Sequence, residues 1–260
     1  MNIAKNTLSI VTGATGGLGK EISKSILAQQ GKLVFIARDQ QKIDSFGSEI
    51  GELKNESFYS IHANLNIDAD LAHIEKDLVD ILKNNTGVDE VFLFNNASSI
   101  DPIALIEDVS FNEVSRALTV NIASAYALTA ALLRLKQKFA IKKVNIINIS
   151  SGVSVNAVTG WSTYCISKAG LNMLSKCVAV EKNDDGVFSL SINPGPINTD
   201  MQEKIRNADA EKIPATKKFE TMYTEGKLQS ASAVTEKLFR ILTSNDFSNG
   251  DFLDFNKLNC

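Results

Sequence analysis

Six short, β-rich apolar runs recur along the first two hundred residues, and segments of helical period lie between them. The runs are Leu8–Thr12, Leu33–Ala37, Phe58–His62, Val91–Asn95, Val144–Ser150 and Phe188–Asn193, with a last short one at Asp251–Phe255. Several are almost continuously apolar, as a strand covered on both faces requires; a strand with one wet face would alternate. In the intervening segments, Leu71, Ile74, Leu78 and Ile81 recur at spacings of three and four. So do Phe111, Val114, Leu118, Ile122, Ala125, Leu128, Leu132 and Leu135, which predict one long helix. Stripes of this kind pack against a sheet. The alternation predicts an α/β fold of Rossmann type: a doubly wound, mainly parallel sheet of about seven strands with helices on both faces. No linker, internal repeat or low-complexity tract divides the chain, so residues 1–260 read as a single domain. From Pro196 to about Gly226 the pattern turns polar, rich in Lys and Glu, and only weakly periodic, before a helix near Ala233–Leu242. A segment that follows the C-terminal end of a strand in such a sheet is well placed to cover a ligand.

The composition narrows the chemistry. A formal net charge of -3, with basic residues scattered among acids, gives no footprint for nucleic acid. Only His62 and His73 are available to a metal site or a serine–histidine triad. Cys165, Cys177 and Cys260 show no CxxC spacing, so free thiols in a reducing, cytoplasmic setting are expected and no metal is. The opening MNIAKNTLSIVTG runs into the first strand without a long apolar stretch, and neither a signal peptide nor a membrane span is expected.

The first strand ends in Thr12-Gly13-Ala14-Thr15-Gly16-Gly17-Leu18-Gly19, directly before the helical segment Lys20–Gln30. Backbone N–H groups and the positive end of the helix dipole suit a pyrophosphate there, and glycines let the main chain approach it. This loop resembles the TGxxxGxG loop of the short-chain dehydrogenase/reductase family through Gly13, Gly17 and Gly19. The resemblance implies a nicotinamide dinucleotide, with Thr15 and Leu18 among the loop's contacts. Ala37 stands where members that prefer NAD usually carry an acid, and Arg38 can pair with a 2′-phosphate, so NADP(H) is the expected cofactor. The plainer reading of Arg38 is a surface pair with Asp39. Gly16 stands where many NADP-binding relatives have a basic residue. Asn95-Asn96-Ala97-Ser98 resembles the family's NNAG motif with Ser98 in place of glycine, and Asn64-Leu65 stands where relatives commonly contact adenine.

Tyr164 and Lys168 form a YxxxK pair early in a helical pattern that runs to about Glu181, and residues four apart share a helix face. A free phenol has a pKa near ~10, and a neighbouring ammonium is expected to lower it. Such a pair can serve general acid–base chemistry, although alone it is more often a surface pair. The family resemblance supplies the company. Ser151 lies thirteen residues before Tyr164, the spacing of the family's carbonyl-binding serine, with Ser150 the nearby competitor. Asn121 matches the asparagine of the catalytic tetrad, which there holds a water in the proton relay behind the lysine. Asn193-Pro194-Gly195-Pro196-Ile197-Asn198-Thr199 resembles the segment that holds the nicotinamide carboxamide, implicating Pro194, Gly195, Ile197 and Thr199. These motifs occur in family order over about residues 7–200.

The resemblance implies a carbonyl reductase acting on a small molecule. The stretches 160–165 and 194–202 look most like the branch of sepiapterin and benzil reductases, which reduce one carbonyl of a vicinal dicarbonyl. Val153, Val155, Trp161, Ile197 and Met201 are the apolar residues expected around the nicotinamide, and Asp200 and Asp251 the acids that could anchor a substrate. An NAD-linked alcohol dehydrogenase and a non-catalytic NADP-sensing regulator are the competing readings. By analogy the chain forms a homodimer, or a tetramer, through helices at Phe111–Phe139 and Tyr164–Glu181, with no membrane or nucleic-acid partner.

Overall fold

The computed structural model describes residues 6–51, 57–183, 185–244 and 246–258; Cys260 and the first five residues of the opening segment lie outside them. The strands are β1 (Thr7–Thr12), β2 (Lys32–Ala37), β3 (Phe58–His62), β4 (Glu90–Asn95), β5 (Lys143–Ile149), β6 (Val187–Asn193) and β7 (Phe252–Asp254). They form one sheet in the order β3-β2-β1-β4-β5-β6-β7, parallel throughout. Every predicted strand is present to within a residue or two. The helices are α1 (Gly17–Ala28), α2 (Gln40–Gly51), α3 (Asp68–Asn84), α4 (Phe111–Leu118), α5 (Ser124–Lys138), α6 (Ser162–Glu181), α7 (Asp200–Arg206), α8 (Ala215–Thr224) and α9 (Ala231–Ser244).

Strand residues alternate between two apolar layers. Val11, Phe35, Phe92, Phe94 and Ile147 face α1, α2 and α9, while Ile10, Val34, Val91, Leu93 and Ile146 face α3, α5 and α6. With both faces covered, near-continuous apolar strands are the stable solution. Strand order reverses at β1, which pairs with β2 on one side and β4 on the other. A crevice opens beyond the carboxyl ends of the strands at such a reversal, and the residues that follow β1, β4, β5 and β6 converge there.

Three boundaries differ from the sequence reading. Helix α1 starts at Gly17 rather than Lys20, because its first bond runs from the Lys20 N–H to the Gly16 carbonyl (3.3 Å). The long helix begins on a capping box between Ser110 and Glu113 and carries a π turn at Thr119–Ala123, which contains Asn121. Among the described residues the stretch 111–138 is the one helix long and apolar enough to cross a membrane, and 44% of its most apolar window is buried against the protein. The polar segment after Pro196 contains α7 and α8. Its periodicity is weak because these helices bury few residues, Ile205 and Gln202 on α7 and Thr216 on α8. With Ile213 they rest on a small separate cluster of Ile100, Trp161 and Tyr164. The ammonium of Lys204 on α7 reaches Asp101 in the loop after β4 at 2.6 Å.

Candidate active site

A cavity of about 650 Å³ occupies the crevice, lined by segments 13–18, 96–98, 149–153 and 193–202 and by parts of α6 and α8. One wall is the turn after β1. The Gly13 N–H donates to the Ile36 carbonyl (2.9 Å), with φ of +64° at Gly13. The Thr12 hydroxyl accepts the N–H groups of Asn96 and Ala97, each at 3.0 Å, and Asn96 Nδ2 donates to the carbonyls of Thr12 (2.9 Å) and Gly13 (3.2 Å). A methyl group at Gly19 would collide with the Gly13 carbonyl oxygen and sit 2.5 Å from Asn96 Nδ2. The backbone therefore closes on itself there, and only hydrogen fits. Helix α1 has no side-chain cap at Gly16. Its first N–H groups are left to whatever occupies the cleft, a donor set that fits the pyrophosphate of a dinucleotide.

The opposite wall is β5 with α6. Tyr164 is 8% and Lys168 2% exposed, and both line the cavity. Lys168 Nζ donates to the Ile149 carbonyl at 2.7 Å and stands 5.4 Å from the centre of the Tyr164 ring. Ser151, in extended backbone (φ −162°, ψ 160°), caps the single turn Gly152–Ser154 and lines the same cavity. Burial, which the spacing does not report, acts on both groups. Burial pushes Tyr164 up to about 12, and the Ser151 hydroxyl beside it offsets only part of that push. Burial pushes Lys168 down to about 7. Where water is excluded from both groups, desolvation favours the neutral form of each.

The other residues singled out in the sequence divide by position. Gly13, Gly17, Leu18, Asn96, Ala97, Pro194, Gly195, Ile197 and Thr199 line the cavity. Gly19 lies behind the turn, and Thr15 opens on its outer side toward Lys42. Asn121 is buried outside the cavity, with its amide fully engaged. Oδ1 accepts from the Ser99 N–H (2.8 Å) and the Ser98 hydroxyl (3.2 Å), while Nδ2 donates to the Ser99 carbonyl (2.8 Å) and the Ser167 hydroxyl (3.3 Å). Asn64 is half-buried, its Oδ1 accepting the Asn66 N–H in a local turn (3.1 Å), and Leu65 is buried. Arg38 is exposed at the end of β2. Among the described residues no ion pair joins it to Asp39, whose Oδ1 accepts the Lys42 N–H instead (3.1 Å).

Of the expected apolar surround, Val153, Trp161, Ile197 and Met201 line the cavity, whereas Val155 is 61% exposed and faces away. Asp200 lines it; Asp251 does not, because its carboxylate accepts the Ser248 N–H (2.8 Å) in a surface turn. Sequence reasoning missed Phe219, whose ring stacks on Trp161 at 5.3 Å, and Asp254, whose Oδ1 accepts from Asn193 (2.9 Å) and Asn256 (3.0 Å). Neither carries a motif. Asp254 reaches the site through its register opposite Asn193, and Phe219 through the fold-back of α8.

Comparison with known proteins agrees with this geometry. Residues 7–210 match the model of the short chain dehydrogenase family. A benzil reductase ((S)-benzoin forming) of Bacillus cereus is 28% identical over 250 residues, covering 94% of this chain and 97% of that one. A sepiapterin reductase of Bos taurus is 27% identical over 255 residues, covering 96% and 94%. The solved structure of a short chain dehydrogenase/reductase from Saccharomyces cerevisiae superposes with a TM-score of 0.81 at 22% identity, covering 96% of each chain, which shows a shared fold.

Proposed function

The chain belongs to the short chain dehydrogenase family of oxidoreductases, and from that premise we propose that it is an NADPH-dependent carbonyl reductase that converts one carbonyl of an apolar vicinal dicarbonyl to a hydroxyl. The observation that carries this reading is the convergence of Ser151, Tyr164 and Lys168 on a cleft whose facing wall is an uncapped, glycine-lined helix N-terminus. NADPH, when bound, supplies the hydride.

The turn at Gly13–Gly19 would hold the pyrophosphate and Arg38 the 2′-phosphate. Ala97 and the 64–65 segment would flank the adenosine, and Pro194, Gly195, Ile197 and Thr199 the carboxamide. Ser151 and Tyr164 donate hydrogen bonds to the substrate oxygen, stabilising the negative charge that develops on it. Tyr164 then gives its proton to that oxygen. A phenol whose pKa burial has raised to about 12 keeps its proton throughout the neutral range and so enters the reduction as the acid. Lys168 orients the ribose and returns a proton to Tyr164. Because the Asn121 amide is spent on Ser98, Ser99 and Ser167, a relay through that residue runs over its backbone.

The stacked pair Trp161 and Phe219, with Val153 and Met201, favours an apolar, aryl-bearing substrate, as the similarity to benzil and sepiapterin reductases also suggests. Helices α7 and α8 form the cover over that substrate. We further propose a homodimer in the cytoplasm. Ile166, Met173 and Val180 form an exposed apolar stripe at seven-residue spacing on α6, and Phe111 and Tyr126 are exposed on α4 and α5. The thiols of Cys165 and Cys177 are unpaired, which suits a reducing compartment.

A panel of vicinal dicarbonyls, monoketones and alcohols, followed by nicotinamide absorbance with each cofactor, tests the assignment. The expected result is stoichiometric NADPH consumption with a dicarbonyl and formation of a single hydroxyketone enantiomer. Strong preference for NAD with an alcohol would make the chain a dehydrogenase. Tight NADPH binding without turnover across the panel would make it a regulator.

A further inference from the structure

Helix α6 carries a third polar side chain on the face that presents Tyr164 and Lys168. Asn172 follows Lys168 by four residues, so the three stand at i, i+4 and i+8. Its side chain enters the segment that carries Ser151. The single hydroxyl proton of Ser150 is shared between Asn172 Oδ1 (2.6 Å) and the Lys168 carbonyl (3.2 Å). Asn172 Nδ2 donates to the Ser154 hydroxyl (2.8 Å), and Ser154 Oγ donates in turn to the carbonyl of Ser151 (2.6 Å). One amide thus grips the residue before Ser151 and, through Ser154, the carbonyl of Ser151 itself.

The grip falls where the backbone offers little. Ser151 leaves the sheet in extended conformation, and the Gly152–Ser154 turn is a single one. Val155, Asn156 and Ala157 beyond it are exposed before the chain returns to α6. The Ser150 N–H is held on the sheet by the Ile192 carbonyl (2.7 Å), but that bond fixes the segment to β6, not to the helix bearing the phenol. The Lys168 ammonium on the Ile149 carbonyl ties the strand end to that helix, and the Ser150–Asn172–Ser154 bridge ties both sides of Ser151 to it.

We infer that Asn172 is a positioning residue for Ser151: its amide, wedged between the hydroxyls of Ser150 and Ser154, sets the register of the 150–154 segment against the helix face that carries Tyr164 and Lys168. This rests on the reading of Ser151 as a donor to the substrate oxygen. Two hydrogen bonds to one oxygen are productive only when both donors hold position, and a shift of about 1 Å in such a donor can cost on the order of 100-fold in rate.

Asn172→Leu tests the inference with little risk to the fold, since the Ser150 hydroxyl keeps the Lys168 carbonyl and the Ser154 hydroxyl keeps the Ser151 carbonyl. Expected is a fall in kcat of ~10-fold or more with KM for NADPH unchanged, and a smaller fall in the same sense for Ser154→Ala. The decisive measurement repeats Asn172→Leu in a Ser151→Ala background. If Asn172 acts through Ser151, the second substitution adds less than about twofold there. An unchanged kcat for Asn172→Leu, or an equal loss with and without Ser151, overturns the inference while leaving the assigned reaction intact. Ser151→Ala at the wild-type rate would overturn the reading of Ser151 beneath it, so the two failures are told apart by the single variants.

Discussion

The two walls of the cleft hold their shape by different means. Along residues 12–19 the work is done by the main chain and by the absence of side chains: Gly13 donates to Ile36, Asn96 reaches over to two backbone carbonyls, and Gly19 has no room for a methyl group. Along residues 149–172 the work is done by side chains, with Lys168 on the Ile149 carbonyl and Asn172 between two serines. The first wall presents fixed backbone dipoles to a polyanion, so its precision is steric. The second carries the groups proposed to transfer a proton, and its precision lies in side-chain hydrogen bonds and in how far burial moves the titrations. Substitutions on the two walls should consequently fail in different observables.

The largest expected effect is chemical. Tyr164→Phe keeps the ring and its burial but removes the proton, and turnover should fall by ~10²–10⁴ while NADPH affinity, measured by fluorescence titration, changes by less than about threefold. Loss of cofactor binding in that variant would show the walls to be less independent than described. The next effect is steric. Gly19→Ala should cost roughly 1–3 kcal/mol of stability and most of the NADPH affinity, since the added methyl meets a backbone carbonyl that cannot step aside. A methyl group at Gly16, three residues earlier, would meet nothing within 4 Å, so Gly16→Ala should stay within ~0.5 kcal/mol of wild type in the same melting experiment.

Arg38→Ala sharpens the comparison at the far end of the first wall. Removing the cation proposed to hold a 2′-phosphate should raise KM for NADPH by about tenfold and leave KM for NADH unaltered, the loss expected of a charge-assisted hydrogen bond. Equal effects on both cofactors would remove Arg38 from that role. The last effect is a slope. Lys168 has a folded pKa of about 7 against 10.5 for an exposed lysine. Between those values the unfolded chain holds a proton that the folded chain has released, so the contribution of this group to stability grows as pH rises and is lost as pH falls toward 7. Tyr164 stays protonated in both states below about pH 10. The stability of Lys168→Met relative to wild type should therefore decline by ~1 kcal/mol per pH unit from pH 7 to 10 in urea titrations. A flat difference would mean that the ammonium is better solvated than its burial indicates.

Much of this molecule is legible before any coordinates are known, for a local reason. The apolar strands and the stripes on α3 and α5 report burial on two faces or on one, and period alone distinguishes them. The glycine loop and the Tyr164–Lys168 pair are likewise short-range patterns, each contained in one turn or one helix. Helices α7 and α8 are harder to read, since short helices that bury one or two residues leave almost no periodic trace.

What only the tertiary structure decided is whatever depends on groups far apart in the chain. The sign of the titration shifts is one case. Spacing shows that an amine lies four residues from a phenol, but the depth at which both sit comes from packing α6 against β5, and at that depth desolvation favours the neutral form of each. Phe219 on Trp161, Asp254 opposite Asn193 and Asn172 between Ser150 and Ser154 are others. Sequence order determined the strands, the turn and the helix face that bears Tyr164 and Lys168, because those follow from hydrogen bonding and periodicity within a few residues. The electrostatics and the spacing of the site were left to the fold, because both are set by which surfaces exclude water once distant segments meet.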